Sequence, residues 1–148
     1  MFNSFLKRKR QRSYAHENGC PWDEWVCIYA SIEKNLDCLK YAYENGCPWS
    51  EEVCIRAAYN GDLKCLKYAH ENGCPWDEEV YRSAIETCRL QCLRYARKNG
   101  CPWNKNICLF VYERYKYYGC RKEILKFVYE NGCKCKYTPK IQKLLYDN

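Results

Sequence analysis

The chain predicts an all-α helix-turn-helix repeat array, and three observations carry that prediction. The phrase Asn-Gly-Cys-Pro-Trp begins at Asn18, Asn45, Asn72 and Asn99, each start 27 residues after the last. A fixed period of this size marks one supersecondary unit copied end to end, each copy burying its apolar face only against its neighbours. Between successive phrases lie two segments with small or apolar residues at helical spacing. Capping residues open these segments and Asn-Gly closes the second, so each unit is expected to be two antiparallel helices without a strand.

In register, the units span 14–40, 41–67, 68–94 and a longer 95–126. A degenerate copy follows over 127–148, in which Lys134 and Cys135 replace Pro-Trp. Terminal repeats are commonly atypical because one face meets water instead of another unit. Residues 1–13 form a basic N-terminal segment, and 14–148 form one domain with no internal linker, as expected for 148 residues.

Helix one opens at Asp23, Ser50, Asp77 and Asn104, residue types that cap helix N-termini. Glu78 and Glu79 then place carboxylates where the helix dipole favours them. Val26, Cys27 and Ala30, matched by Val53, Cys54, Ala57 and Ala58, form the narrow apolar face of a helix of about ten residues. Helix two follows with the stripe Leu36, Cys38, Leu39, Tyr41 and Ala42, repeated at Leu63 to Ala69 and Leu90 to Ala96. Asn-Gly supplies its left-handed stop. Proline cannot extend the helix, and Trp22, Trp49, Trp76 and Trp103 are placed to wedge between successive units. The fourth unit carries an insertion, Arg114-Tyr-Lys-Tyr-Tyr-Gly-Cys120, that extends helix one or forms an edge loop. Its interleaved bases and aromatics suit nucleobase stacking or a protein interface.

The net charge of +7 is unevenly distributed. Residues 1–13 carry five basic and no acidic side chains, 14–113 eleven and fifteen, and 114–148 nine and three, giving +5, −4 and +6. The central units are mildly acidic and only the ends are basic, so a polyanion contact would be terminal. Fourteen cysteines would read as a disulfide scaffold in a short secreted chain. The start Met1-Phe-Asn-Ser-Phe-Leu6 is too short for a signal core, and no run approaches the ~20 apolar residues that span a bilayer. A soluble, intracellular, reduced protein without membrane contact is the expectation.

The segment from Ala57-Ala-Tyr-Asn-Gly61 through Leu63-Lys-Cys-Leu-Lys-Tyr-Ala-His-Glu-Asn-Gly73 resembles an ankyrin repeat, with a short Ala-Ala helix ending at Asn-Gly and a second helix ending at Gly. The unit is shorter than the usual 33 residues, and the shortfall falls in the connector, so the β-hairpin finger is expected to shrink to the Cys-Pro-Trp-Asp turn. The phrase Tyr-Ala-His-Glu-Asn-Gly-Cys-Pro-Trp-Asp is similar to the divergent ankyrin-type arrays of giant DNA viruses that infect amoebae. Over roughly residues 14–133 the resemblance implies a solenoid that binds proteins inside an infected cell, in the host cytoplasm or, through the basic run, the nucleus.

Comparing the copies with each other separates scaffold from surface. With Tyr14 as position one of its unit, position 13 is Val26, Val53, Val80 or Ile107, and position 17 is Ala30, Ala57, Ala84 or Val111. Positions 12, 16 and 19 vary freely and share the opposite side of helix one. Stacked, they predict a partner-binding ladder: Trp25, Tyr29 and Ile32; Glu52, Arg56 and Tyr59; Glu79, Ser83 and Glu86; Asn106, Phe110 and Glu113. The first rung places an aromatic pair and an isoleucine together on the predicted solvent face, or under the N-terminal segment.

Cysteines recur at position seven (Cys20, Cys47, Cys74, Cys101), position 14 (Cys27, Cys54, Cys108) and position 25 (Cys38, Cys65, Cys92). Equivalent atoms in adjacent units stand about 8–10 Å apart, too far for a disulfide or a shared zinc ion, so cysteine is read as a small buried hydrophobe. Cys88 with Cys92, and Cys133 with Cys135, lack zinc-site spacing. His16 and His70 share position three with Tyr43 and Arg97, an interchange unsuited to a catalytic base. Lys40 with Glu44, Lys67 with Glu71 and Lys126 with Glu130 are spaced for surface ion pairs.

No phosphate-binding loop or nucleophile constellation stands outside the repeat pattern. The resulting expectation is a non-enzymatic, monomeric protein-interaction module without a cofactor. Lys7, Arg8, Lys9, Arg10 and Arg12 read as an import signal, a nucleic-acid arm or a solvated start. The alternatives are a nucleic-acid-associated protein using its basic ends, or a structural virion component.

Overall fold

The computed structural model describes residues 23–104, 106–119, 121–132 and 135–146. The basic run Lys7 to Arg12, the first Asn-Gly-Cys-Pro-Trp copy, Cys120 and Cys133 lie outside them. Among the described residues run nine α-helices and no strand: α1 Glu24–Ile32, α2 Leu36–Glu44, α3 Glu51–Asn60, α4 Leu63–Glu71, α5 Glu79–Glu86, α6 Leu90–Lys98, α7 Ile107–Tyr118, α8 Lys122–Glu130 and α9 Thr138–Tyr146.

The predicted caps act at most of the helix starts. Ser50 Oγ accepts the Glu52 N–H at 3.2 Å, Asp77 Oδ1 that of Glu79 at 2.9 Å and Asn104 Oδ1 that of Asn106 at 2.7 Å. Asp62 Oδ1 accepts from both Lys64 and Cys65, satisfying two of the orphan donors that every helix start leaves. Asp23 occupies the cap of α1 in extended backbone, but its side chain makes no capping bond.

The Asn-Gly stop divides its work between two residues. At the end of α4, Gly73 adopts φ +81° and the Cys74 N–H reaches the Ala69 carbonyl at 3.0 Å, closing a Schellman turn. Asn72 Nδ2 donates to the Tyr68 carbonyl at 2.8 Å, and Asn45, Asn99 and Asn131 do the same one turn back in their own helices. A Cβ at Gly73 would meet nothing within 4 Å, so Gly73→Ala carries only the backbone cost of the left-handed region. Urea denaturation should show a loss of about 1–2 kcal/mol; no loss would mean that the turn relaxes out of that region.

Each unit folds as a hairpin, α1 on α2, α3 on α4, α5 on α6 and α7 on α8. The first helices pack into one row, α1–α3–α5–α7, and the second into another, α2–α4–α6. Small side chains permit the close approach: Ala57, Ala58, Ala69, Ala84 and Ala96 are fully buried together with Val53, Leu66, Val80 and Leu93. The insertion in the fourth unit extends helix one, so that α7 runs for 12 residues and ends at Gly119, φ +69°. The last helix, α9, packs against α8, anchored by the buried Ile141.

Hydrogen bonds cross every junction at fixed places in the unit. The position-seven thiols donate to the carbonyl of the preceding unit's cap residue: Cys47 to Asp23 at 3.2 Å, Cys74 to Ser50 at 3.3 Å and Cys101 to Asp77 at 3.1 Å. Position 20 donates to the exposed C-terminal carbonyls of the preceding helix one: Asn60 to Ile32, Thr87 to Tyr59 and Arg114 to Glu86. Position three reaches forward, Tyr43 Oη to the Asn72 carbonyl at 3.1 Å and Arg97 Nη2 to that of Asn131 at 3.4 Å. Cysteine at position seven is therefore a junction donor as well as a small apolar filler.

Candidate functional site

Since the apolar side of each first helix is spent on stacking, what remains to face water is the side bearing positions 12, 16 and 19. In the first two units this side is aromatic. Trp25, Tyr29, Ile32 and Tyr59 are 53, 46, 37 and 44% exposed, and the rings of Trp25 and Tyr29 lie 6.1 Å apart, one helical turn separating them. Burying such side chains against a partner contributes far more per residue than burying polar ones.

Beyond this cluster the face becomes charged. Arg56 Nε meets Glu52 Oε2 at 2.8 Å, and Arg82 Nη1 meets Glu79 Oε1 at 3.3 Å. Both pairs are about half exposed, so each contributes no more than about 0.5 kcal/mol. Glu86, Asn106 and Glu113 are exposed, whereas Phe110 is half-buried beneath the Arg82 guanidinium, 5.1 Å from its ring centre. Ser83 departs from the predicted ladder and is buried. Its short side chain sits mid-row, where the larger Arg56 and Phe110 occupy the same position on either side.

The second helices build a different surface. Tyr43 stacks on Trp49 with ring centres 4.4 Å apart, His70 on Trp76 at 3.6 Å, and the Arg97 guanidinium lies 4.9 Å over Trp103. Tyrosine, histidine and arginine interchange at position three because each presents a flat face to the tryptophan. Trp49 also stands edge-on to Tyr68 of the next unit and donates Nε1–H to the Asn72 carbonyl, so it wedges between units as the sequence predicts. Two predicted ion pairs are displaced by this arrangement. Lys126–Glu130 closes at 3.8 Å, but Lys40 and Lys67 lie instead over the rings of Tyr68 and Tyr95 on the next helix of the second row, 5.6 and 5.7 Å from their centres.

The cysteines are closer than their period implies. Position 14 of one unit meets position seven of the next: the Cys27 and Cys47 side chains share a hydrogen bond, as do those of Cys54 and Cys74. That bond, followed by burial, holds the Cys27 and Cys54 thiols well above the ordinary range, while the same contact lowers Cys47. Burial pushes Cys92 up to about 11 and Cys101 to about 12. Thiols held protonated in this way are poor nucleophiles at neutral pH. Among the described residues no three His, Cys, Asp or Glu side chains converge as a metal site requires. No helix among them is long and apolar enough to cross a membrane.

In unit three, position 14 is Tyr81, which sequence comparison does not single out. It is fully buried, donates Oη–H to the Cys101 carbonyl at 3.2 Å and meets Trp103 edge-on at 4.7 Å. Its signal was its departure from cysteine at an otherwise uniform position.

Fold and face together define a helical repeat protein whose first helices carry an aromatic, solvent-exposed cluster in the first two units. No family model, curated protein or solved structure matches the chain.

Proposed function

We propose that the chain is a non-enzymatic protein-interaction module, a divergent ankyrin-type solenoid that holds a host or viral protein against the variable face of its first helices. The observation that carries this reading is the cluster of Trp25, Tyr29, Ile32 and Tyr59, more than a third exposed at every member. Contiguous exposed aromatics are the usual anchors of protein interfaces, because a rigid ring buries a large area at little conformational cost. The junctions support the same reading. Stacking is carried by positions 7, 14 and 20 and by the apolar face, so positions 12 and 19 throughout, and position 16 in the first two units, can change with the partner without disturbing the array.

The test compares the intact chain with a variant carrying Trp25→Ala, Tyr29→Ala, Arg56→Ala and Tyr59→Ala, each used to capture protein from nuclease-treated amoebal lysate. The expected result is a protein retained by the first and lost by the second, with circular dichroism unchanged. Equal capture by both would overturn the assignment to this face.

A further inference from the structure

The C-terminal end of the array combines charge and exposed rings in a way the helix-one face does not. Residues 114–148 hold nine basic and three acidic side chains. Tyr112 of α7 and Tyr137 stack at 4.7 Å and 19°, which pins the turn before α9 against α7. Lys136 and Lys140 point their ammonium groups at Tyr137, 5.1 and 5.9 Å from its ring centre, and Lys116 lies 4.8 Å over Tyr117. Lys116 follows Tyr112 by one turn of α7, so the Tyr112–Tyr137 stack brings it to the same end of the array as Lys136 and Lys140. None of the three forms an ion pair within 4 Å among the described residues. Beside them Tyr117 and Tyr118 stand 66 and 70% exposed.

Three like charges with no ion pair among the described residues repel one another, and ring contacts offset that only weakly at an exposed surface. An anion carrying several charges would relieve the repulsion. We propose that this end binds single-stranded nucleic acid, with phosphates on Lys116, Lys136 and Lys140 and bases stacked on Tyr117 and Tyr118. An acidic peptide would neutralise the lysines but leave both rings in water. A duplex hides the faces of its bases in its own stack. A single strand uses both features, because every phosphate is followed by a base with an open π face.

The test is fluorescence anisotropy of a labelled single strand of about 12 nucleotides, within the range of site sizes such grooves take, titrated with the full chain between low and moderate salt. Lys116→Ala, Lys136→Ala and Lys140→Ala together should flatten the slope of log affinity against log salt by about 2, since each phosphate contact on a single strand contributes about 0.7. Tyr117→Ala with Tyr118→Ala should lower affinity about tenfold or more and leave that slope unchanged. All five side chains are exposed, so the helical signal should survive both sets of changes. Binding that persists in both variants would overturn the proposal and place the contact elsewhere, for example on Lys7 to Arg12. Competition by duplex, acidic peptide or inorganic polyphosphate as effective as by single strand would overturn it equally.

Discussion

Tyr81→Ala should remove about 3–5 kcal/mol of stability, the range measured when a large buried ring is deleted from a packed core. Tyr81 is the largest fully buried side chain among the described residues, and it stands at the junction of units three and four. The truncation would leave a void beside Trp103 and withdraw the hydroxyl that serves the Cys101 carbonyl. With total stabilities commonly 5–15 kcal/mol, such a loss removes much of what holds the fourth unit to the third. Tyr81→Phe isolates the hydroxyl and should cost only about 1 kcal/mol. Urea denaturation of both variants separates the contributions. A phenylalanine variant as unstable as the alanine one would show that the hydrogen bond, not the ring, carries the junction.

A second large effect is expected at alkaline pH. Unfolded, a thiol releases its proton near 9.0, whereas Cys92 and Cys101 in the fold hold theirs to about 11 and about 12. Burial is the first cause in both. Cys65 is raised as well, by burial and then by Asp62, and Cys27 and Cys54 by their hydrogen bonds to Cys47 and Cys74 and by burial. Between pH 9 and 12 the folded chain therefore binds protons that the unfolded chain has released, and stability must fall as pH rises. It is fully present below pH 9. For Cys92 alone the difference corresponds to about 3 kcal/mol once both values are passed. Cys47 works in the opposite sense, since its thiolate accepts from Cys27, but it is one group against five. The urea midpoint should stay level from neutral pH to about 8.5 and drop steeply beyond 9. A level midpoint up to pH 11 would show that water reaches these thiols in the folded chain.

The elements were legible because the repeat states its local rules several times. Asn-Gly could be read as a stop since both residues are needed: glycine for the left-handed turn, asparagine for the bond one turn back. The exposed aromatic rung was legible for the same reason, as the spacing of positions 12, 16 and 19 fixes a helical side. The contact between position 14 and position seven of the next unit was not. A sequence period relates each residue to its equivalents, while Cys27 meets Cys47 through the offset between two stacked hairpins, which only packing determines. Position 20 escaped notice differently. Asn60, Thr87 and Arg114 share no residue type, only the ability to donate a hydrogen bond, so a comparison of letters reads them as drift. Lys40 and Lys67 misled because helix spacing offered them a carboxylate in their own helix, whereas packing sets a ring of the neighbouring second helix under each ammonium.

The junction bonds from Cys47, Cys74 and Cys101, from Asn60, Thr87 and Arg114, and from Tyr43 and Arg97 end on main-chain carbonyls. A carbonyl offers the same acceptor whatever side chain its residue bears. These bonds therefore survive a change of side chain at the acceptor, and a recombination event that duplicates or deletes copies would keep this part of each junction matched, while contacts such as Tyr81 with Trp103 would have to be rebuilt. An array built on such bonds can be lengthened in a single step, leaving selection to revise the outward-facing residues and the few side chains that are particular to one junction.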